Sequence, residues 1–250
     1  MAMDNDLHGL TAGSQFETTN WSLVRAASAD NPAAARDALA ELCRAYWYPV
    51  YSHVRRKGAP ASAAEDLTQG FFLHFIESRI PASADPAAGR FRAYLLASCN
   101  HFLANQRAKM ETRKRGGGRA IVSFDSLGAE QRFLAEPVDR GTPDRLFDRQ
   151  WALALLAAAL GDLAEECSRE GRWELFARLR PMLTLGGETA SYAQIGAELA
   201  MTQAAVKKAA ERLRRRYGEL LRARTALTLQ HPGDLEDEIH QLRAALESSF

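Results

Sequence analysis

The chain has 250 residues, 46% of them apolar and 25% charged, with 32 Lys and Arg against 31 Asp and Glu. These proportions belong to a folded globular protein of one or two domains; they exclude a wholly disordered chain, and the nearly balanced charge excludes a global polycation. Any surface for a polyanion must therefore come from local segregation of charge.

In chain order, residues 1–18 are polar without periodicity and read as a mobile tail that lacks the basic and apolar segments of an export signal. Thr19 or Asn20 can cap a short helix with Trp21 and Val24, and Asn31-Pro32 pairs an N-cap with a first-turn proline. In the long helix that follows, Leu39, Leu42, Cys43, Tyr46, Trp47, Val50, Tyr51 and Val54 step by three and four, giving one buried stripe that Pro49 should bend. Gly58-Ala59-Pro60 ends it. Ser62 with Glu65 forms a capping box for a helix over 63–78, with Leu67, Phe71, His74 and Phe75 facing inward and Asp66, Thr68, Gln69 and Gly70 outward. Gly70 costs this helix about 1 kcal/mol relative to Ala, which either close packing or close approach of a partner would explain.

A loop over 81–89 leads, through Asp85-Pro86, to a helix whose inner stripe is Phe91, Tyr94, Leu95, Ser98, Cys99, Phe102 and Leu103. Towards its end it accumulates Asn100, Asn105, Arg107, Lys109, Arg113, Lys114 and Arg115, and Glu111 is the one acid between Arg90 and Arg119. Cations hold phosphates, while amides and rings reach bases, so this face suits nucleic acid. Gly116-Gly117-Gly118 stops the helix, and 116–141, with Asp125, Glu130, Glu136 and Asp139 among turn-formers, reads as an acidic interdomain linker.

Thr142-Pro143 opens a helix with Leu146, Trp151, Leu155, Leu156, Leu160 and Leu163, and a second runs from Trp173 to Leu183 with Trp173, Phe176, Leu179 and Leu183 inward. The longest apolar run, Trp151 to Leu160, is half of the roughly 20 residues that span a bilayer. Ser191 with Gln194 is a capping box for a short helix carrying Tyr192, Ile195 and Leu199, and after a break at Ala200-Met201, Thr202 caps a longer one with Val206, Ala210 and Leu213 inside. Gln203, Lys207, Lys208, Arg212, Arg214, Arg215 and Arg216 lie along its other side. A short helix, a tight turn and a basic second helix form the pattern of a helix-turn-helix that lays its second helix in the DNA major groove. Pro232 and Asp234 introduce a last amphipathic helix with Leu235, Ile239, Leu242 and Leu246 on one side, expected to dock on the helix-turn-helix domain and to screen its basic helix with Asp234 to Glu238.

Taken together, EDLTQGFF, FRAYLLASCNHFLANQRAKMETRKR and SYAQIGAELAMTQAAVKKAAERLRRRY resemble, in this order, three segments of the extracytoplasmic-function sigma factors of bacterial RNA polymerase. The resemblance spans Trp21 to Arg224. It implies an all-α fold of two helical domains: a region 2-like bundle over 19–115 and a region 4-like helix-turn-helix bundle over 142–228, joined by the linker 116–141 and followed by a C-terminal helical extension over 229–250. It implies contact with the β′ and β subunits of core polymerase through Asp66, Leu67, Gln69 and Phe71 of the 65–77 helix. Capture of the −10 element falls to Asn100, Asn105, Arg107, Lys109, Arg113 and Lys114 of the 90–115 helix. Reading of the −35 element falls to Thr202, Gln203, Lys207, Lys208, Glu211, Arg212 and Arg215 of the 202–216 helix. The partners implied are core polymerase and promoter DNA, with an anti-sigma factor or a kinase left open, and no membrane.

Three positions depart from the family pattern. Gly70 stands where an acid is usual, Asn105 where Asp is frequent, and Ala200 where the helix-turn-helix turn commonly has Gly; the turn must then avoid positive φ or carry about 1 kcal/mol of strain.

The alternative is a helix-turn-helix regulator that binds duplex DNA without joining polymerase. An enzyme is not expected: Cys99-Asn100-His101 puts its two possible ligands on different helix faces, and no Gly-rich phosphate loop, Ser/His/Asp set or paired-carboxylate site stands out. No cofactor or metal is implied. Cys43, Cys99 and Cys167, odd in number and each on an apolar helical face, read as buried reduced thiols, so the expected compartment is the cytoplasm.

Overall fold

The computed structural model describes residues 45–77, 90–112, 126–136, 141–183, 190–229 and 231–247. Expectations for the tail, for Trp21 and Val24, for Asn31-Pro32, for Cys43 and for Arg113 and Lys114 lie outside these residues. The described residues form α-helices and short 3-10 turns with no strand, so the chain is all-α there.

α1 (45–56) leads into α2 (Ala61–Glu77) through Gly58, whose φ of +94° lets the Gly58 and Ala59 N–H groups turn back onto the Arg55 and Val54 carbonyls. α2 starts directly after Pro60, earlier than its expected capping box, because the Pro60 carbonyl accepts from the N–H groups of Ala63 and Ala64. Its buried side is Ala64, Thr68, Phe71, Phe72 and Phe75, whereas His74 is exposed. Thr68 is thus turned inward, donating to the Ala64 carbonyl at 2.7 Å, and does not belong to an outward polar face. At Gly70 a Cβ would meet the Phe102 ring at 3.4 Å, an ordinary van der Waals contact, so packing does not by itself require the glycine.

α3 (Phe91–Thr112) supplies Phe91, Leu95, Cys99, Phe102 and Leu103 to the same core. α4 (Ser126–Ala135) occupies much of the stretch expected to be a linker. α5 (Pro143–Arg169) is capped by Thr142, whose side chain accepts from Arg145 N–H, with Pro143 in the first turn. The first half of α5 belongs with α1 to α3: Trp151 is fully buried, stacked on Tyr46 with ring centroids 4.2 Å apart, and Phe147, Ala152 and Leu155 lie in that cluster. The second half contributes Leu163 and Cys167 to a second cluster with α6 (Trp173–Leu179), α7 (Tyr192–Glu198) and α8 (Gln203–Ala226). The division between the two clusters therefore falls inside α5, between Leu155 and Leu163.

α6 gives way at Arg180–Met182 to a 3-10 turn, and of its expected inner residues Phe176 and Leu179 are buried while Trp173 is 52% exposed. α9 (Leu235–Glu247) docks inside the molecule, but not on the helix-turn-helix elements alone: Leu242 joins the first cluster beside α5. Glu238, expected on the outer side, is fully buried and ion-paired with Arg90 (2.8 Å) and Arg92 (3.0 Å), while Arg92 also pairs with Asp148 of α5. Glu236 pairs with Arg222 near the end of α8. Glu238 thus serves Arg90 and Arg92 beside the first cluster, and Glu236 serves Arg222, on α8 but ten residues beyond Arg212. Cys99 and Cys167 are buried free thiols, and burial pushes that of Cys99 up to about 12. No helix among the described residues is long and apolar enough to cross a membrane.

Candidate nucleic-acid interface

The capping signals fix α7 and α8 locally. Ser191 Oγ accepts from Gln194 N–H at 3.2 Å while Gln194 Oε1 accepts from Ser191 N–H at 2.8 Å, so the capping box is complete. Thr202 Oγ1 accepts from Ala205 N–H at 3.2 Å, which starts α8. Between them the chain turns as it does after α1 and after α5, where Gly58 and Gly171 sit at positive φ: Met201 N–H reaches back to the Gly196 carbonyl at 2.8 Å. The residue at positive φ in this third turn is Ala200, at +52°. The turn thus keeps the left-handed geometry and carries about 1 kcal/mol of strain in place of a glycine. Gly196 makes the turn possible, since a Cβ on it would lie 2.6 Å from the Met201 carbonyl oxygen.

With α7 held there, α8 buries Val206, Ala209, Ala210 and Leu213. Thr202, Gln203, Lys207, Lys208, Glu211, Arg212 and Arg215 are all exposed. Among the described residues none forms an ion pair with Lys207, Lys208 or Arg212, while Arg215 has only a long contact of 3.9 Å to Glu219. Two other arginines of the run are spoken for. Arg216 is gripped by Glu166 through two bonds of 2.9 and 2.7 Å and by Glu219, which push its pKa up, and Arg214 donates to the Tyr192 hydroxyl at 3.2 Å.

On α3 the expected strand-capturing residues part company. Asn105 is exposed, 3.3 Å from His101 Nδ1, and Lys109 is exposed. Arg107 is exposed but donates to the Lys57 carbonyl. Asn100 is half-buried, with its side-chain amide 2.9 Å from Nε2 of His53, a fully buried residue of α1 whose Nδ1 lies 3.3 Å from the Pro143 carbonyl. Burial lowers the His53 pKa, so the ring is neutral with one N–H. That N–H belongs on Nε2, donating to the Asn100 side-chain oxygen in the shorter of the two contacts, and Nδ1 would gain its bond to Pro143 only on protonation. Asn100 therefore ties α3 to α1.

On α2, Asp66 is exposed and Leu67 and Gln69 are half-buried, whereas Phe71 is 1% exposed, packed against Phe72, Phe75 and Phe102. A shallow apolar hollow of about 150 Å³ lies beside Leu67, walled by Val54, Pro60, Leu103 and Arg107.

One polar cluster escaped the sequence reading. Glu130 of α4 accepts two bonds of 2.9 Å from Arg55 and one from the Tyr51 hydroxyl; Glu136, just beyond α4, takes Arg56 and the Tyr48 hydroxyl. Phe133 lies under Arg55 (4.8 Å) and Arg56 (5.2 Å), and Arg132 stacks on Tyr48 at 3.7 Å. Arg55 holds the Glu130 carboxyl below the ordinary carboxylate range, while burial and then the bond to Glu130 push the Tyr51 hydroxyl up to about 12. The available signal was the absence of any acid between Tyr46 and Gly58, which obliges Arg55 and Arg56 to find partners elsewhere in the chain.

No protein-family model, no curated protein and no solved structure matches this chain.

Proposed function

We propose that the chain is a DNA-binding initiation factor of sigma type, which brings core RNA polymerase to promoters by laying α8 in the major groove of an upstream element. The observation that carries the reading is the α7–turn–α8 unit: a completed capping box, a tight turn locked by Gly196, and an outward row of Gln203, Lys207, Lys208, Glu211 and Arg212. Lys207, Lys208 and Arg212, which form no ion pair among the described residues, can hold phosphates, while Gln203 and Glu211 bring hydrogen-bonding groups of the kind that read base edges. The polymerase part of the reading is supported by the exposed Asp66 beside half-buried Leu67 and Gln69 on α2, and by the sequence resemblance. The −10 part is supported by Asn105 and Lys109 on α3.

A second reading, a helix-turn-helix regulator independent of polymerase, is favoured by Asn100 and Arg107, both engaged within the fold. One experiment separates the two. Purified protein is passed with core polymerase over a sizing column and then tested for promoter-specific run-off transcription. Co-elution with run-off product is the expected result; duplex binding without either leaves the regulator.

A further inference from the structure

The basic run Arg55-Arg56-Lys57 closes α1, and each of its three cations meets one carboxylate from the segment that follows α3: Glu130, Glu136 and Asp144 respectively. Glu65 and Asp66 of α2 stand nearer in the chain, yet all three partners come from more than 70 residues downstream. The run also adjoins the basic side of α3, since the Arg107 guanidinium lies on the Lys57 carbonyl. Tyr48 and Tyr51, two turns and one turn earlier on α1, carry their hydroxyls to the same two glutamates.

The bonds that hold α4 down are mostly those a nucleic-acid backbone would replace in kind. Two carboxylates sit on two arginines, where phosphates would sit, and the Phe133 ring stacks on guanidinium planes as a base would. Among the described side chains of α4 apolar anchoring is slight: Ala129 is buried and Phe133 partly so, while Leu134 is 71% exposed. From this we infer that the Tyr48, Tyr51, Arg55 and Arg56 face of α1 is a phosphate-binding extension of the α3 interface for single-stranded nucleic acid, closed in this structure by Glu130 and Glu136 of the α4 segment acting as internal counter-anions. The inference rests on the nucleic-acid reading of α3 and is independent of α8.

The test is binding of a labelled mixed-sequence single-stranded oligonucleotide to the full chain over a salt titration, comparing the unmodified protein with Glu130→Gln/Glu136→Gln. Uncovering two arginines should tighten binding roughly tenfold at low salt and steepen the log–log salt slope by about 1.4, at about 0.7 per phosphate on a single strand. Adding Arg55→Ala and Arg56→Ala to that variant should cancel both gains. A variant with native thermal melting but unchanged affinity and slope overturns the inference, as does a variant that gains affinity for a synthetic 126–136 peptide and none for the oligonucleotide, which makes the face a protein-docking site.

Hydrogen exchange on the unmodified protein gives a reading free of any folding defect. Saturating oligonucleotide should speed exchange of the 126–135 amides while those of α5 keep their protection, and unaltered exchange at 126–135 overturns the inference. Failure of the α8 reading is seen separately, as duplex promoter binding insensitive to Lys207→Ala and Arg212→Ala.

Discussion

Gly196→Ala sets two effects of opposite sign against each other in the helix-turn-helix. Helix propensity alone favours the substitution by about 1 kcal/mol, since Gly196 lies inside α7. The geometry opposes it. The new Cβ would sit 2.6 Å from the Met201 carbonyl oxygen and 3.6 Å from Gln203 N, all backbone atoms that no rotamer change can move aside. Overpacking of this kind costs about 1–3 kcal/mol. Displacing the turn also forfeits the bond from Met201 N–H to the Gly196 carbonyl, about 1 kcal/mol more. The net expectation is a loss of about 1–3 kcal/mol, which for a chain of this size lowers Tm by roughly 5 °C. Because Met201 leads directly into the Thr202 cap, duplex affinity should fall as well. Ala200→Gly runs the other way: relief of the positive φ should raise stability by up to about 1 kcal/mol. Urea unfolding of both variants, with circular dichroism as the probe, measures the pair. A Gly196→Ala protein as stable as the parent, or more so, refutes the account of the turn.

Lys207→Ala and Arg212→Ala alter exposed side chains, so unfolding should move by no more than about 0.5 kcal/mol while the salt slope of duplex binding drops by about 0.9 for each phosphate no longer neutralised; unchanged slopes in both remove α8 as the reader. Glu238→Ala removes the carboxylate that Arg90 and Arg92 share, leaving the buried Arg92 with Asp148 alone, and should cost about 3 kcal/mol by thermal melting, a loss that the exposed substitution Glu247→Ala should not reproduce. Asn100→Ala leaves His53 Nε2 without its partner and should cost about 1–3 kcal/mol, whereas Asn105→Ala should be near neutral. Burial sets the His53 pKa below its unfolded value of 6.5, so its contribution is full above that value and is lost as pH falls towards the folded pKa; because the Asn100 bond raises the folded pKa, Asn100→Ala should steepen the fall in urea midpoint between pH 7.5 and 5.5.

What the sequence revealed follows from the range of the forces involved. Caps are local, so Thr142-Pro143, Ser191 with Gln194 and the Thr202 cap were legible as written, and with them the outward row on α8. Periodicity located the inner stripes of α3 and α5 but not what they pack on; nothing in the spacing of Trp151 and Leu163 says that they enter different clusters. Polar pairing over long separations was illegible. Glu238 falls three residues after Leu235 and four before Leu242, on the apolar face, and a charge in that register is the mark of a buried ion pair whose partners lie on another helix. The outward reading of Thr68 failed because a threonine can satisfy its hydroxyl on the carbonyl four residues back and so pass for apolar. Trp173, expected inside, is exposed because α6 is only 7 residues long and seats Phe176 and Leu179 instead.

The shared helix α5 bears on the two readings of function. Its 27 residues make a rod of roughly 40 Å, with one cluster on each half. Elements centred at −10 and −35 lie about 25 base pairs apart, roughly 85 Å of duplex at 3.4 Å per step. Two surfaces built on the halves of one 40 Å rod do not reach both elements at once. On the sigma-factor reading the molecule must therefore open, and because α5 runs through both clusters its first half has to leave the first one, Trp151 unstacking from Tyr46, while the bonds of Glu236 to Arg222 and of the Phe91 N–H to the Thr228 carbonyl yield with it. A regulator that uses α8 alone needs no such opening. Spin labels at Ala104 of α3 and Ala177 of α6, both exposed, measure the separation directly. A sigma factor should show a single short distance when free and a population tens of ångströms longer in a complex with polymerase and promoter, while Glu238→Gln should raise the long population of the free protein. One unchanged distance in a transcribing complex would refute the opening and, with it, simultaneous reading of the two elements by α3 and α8.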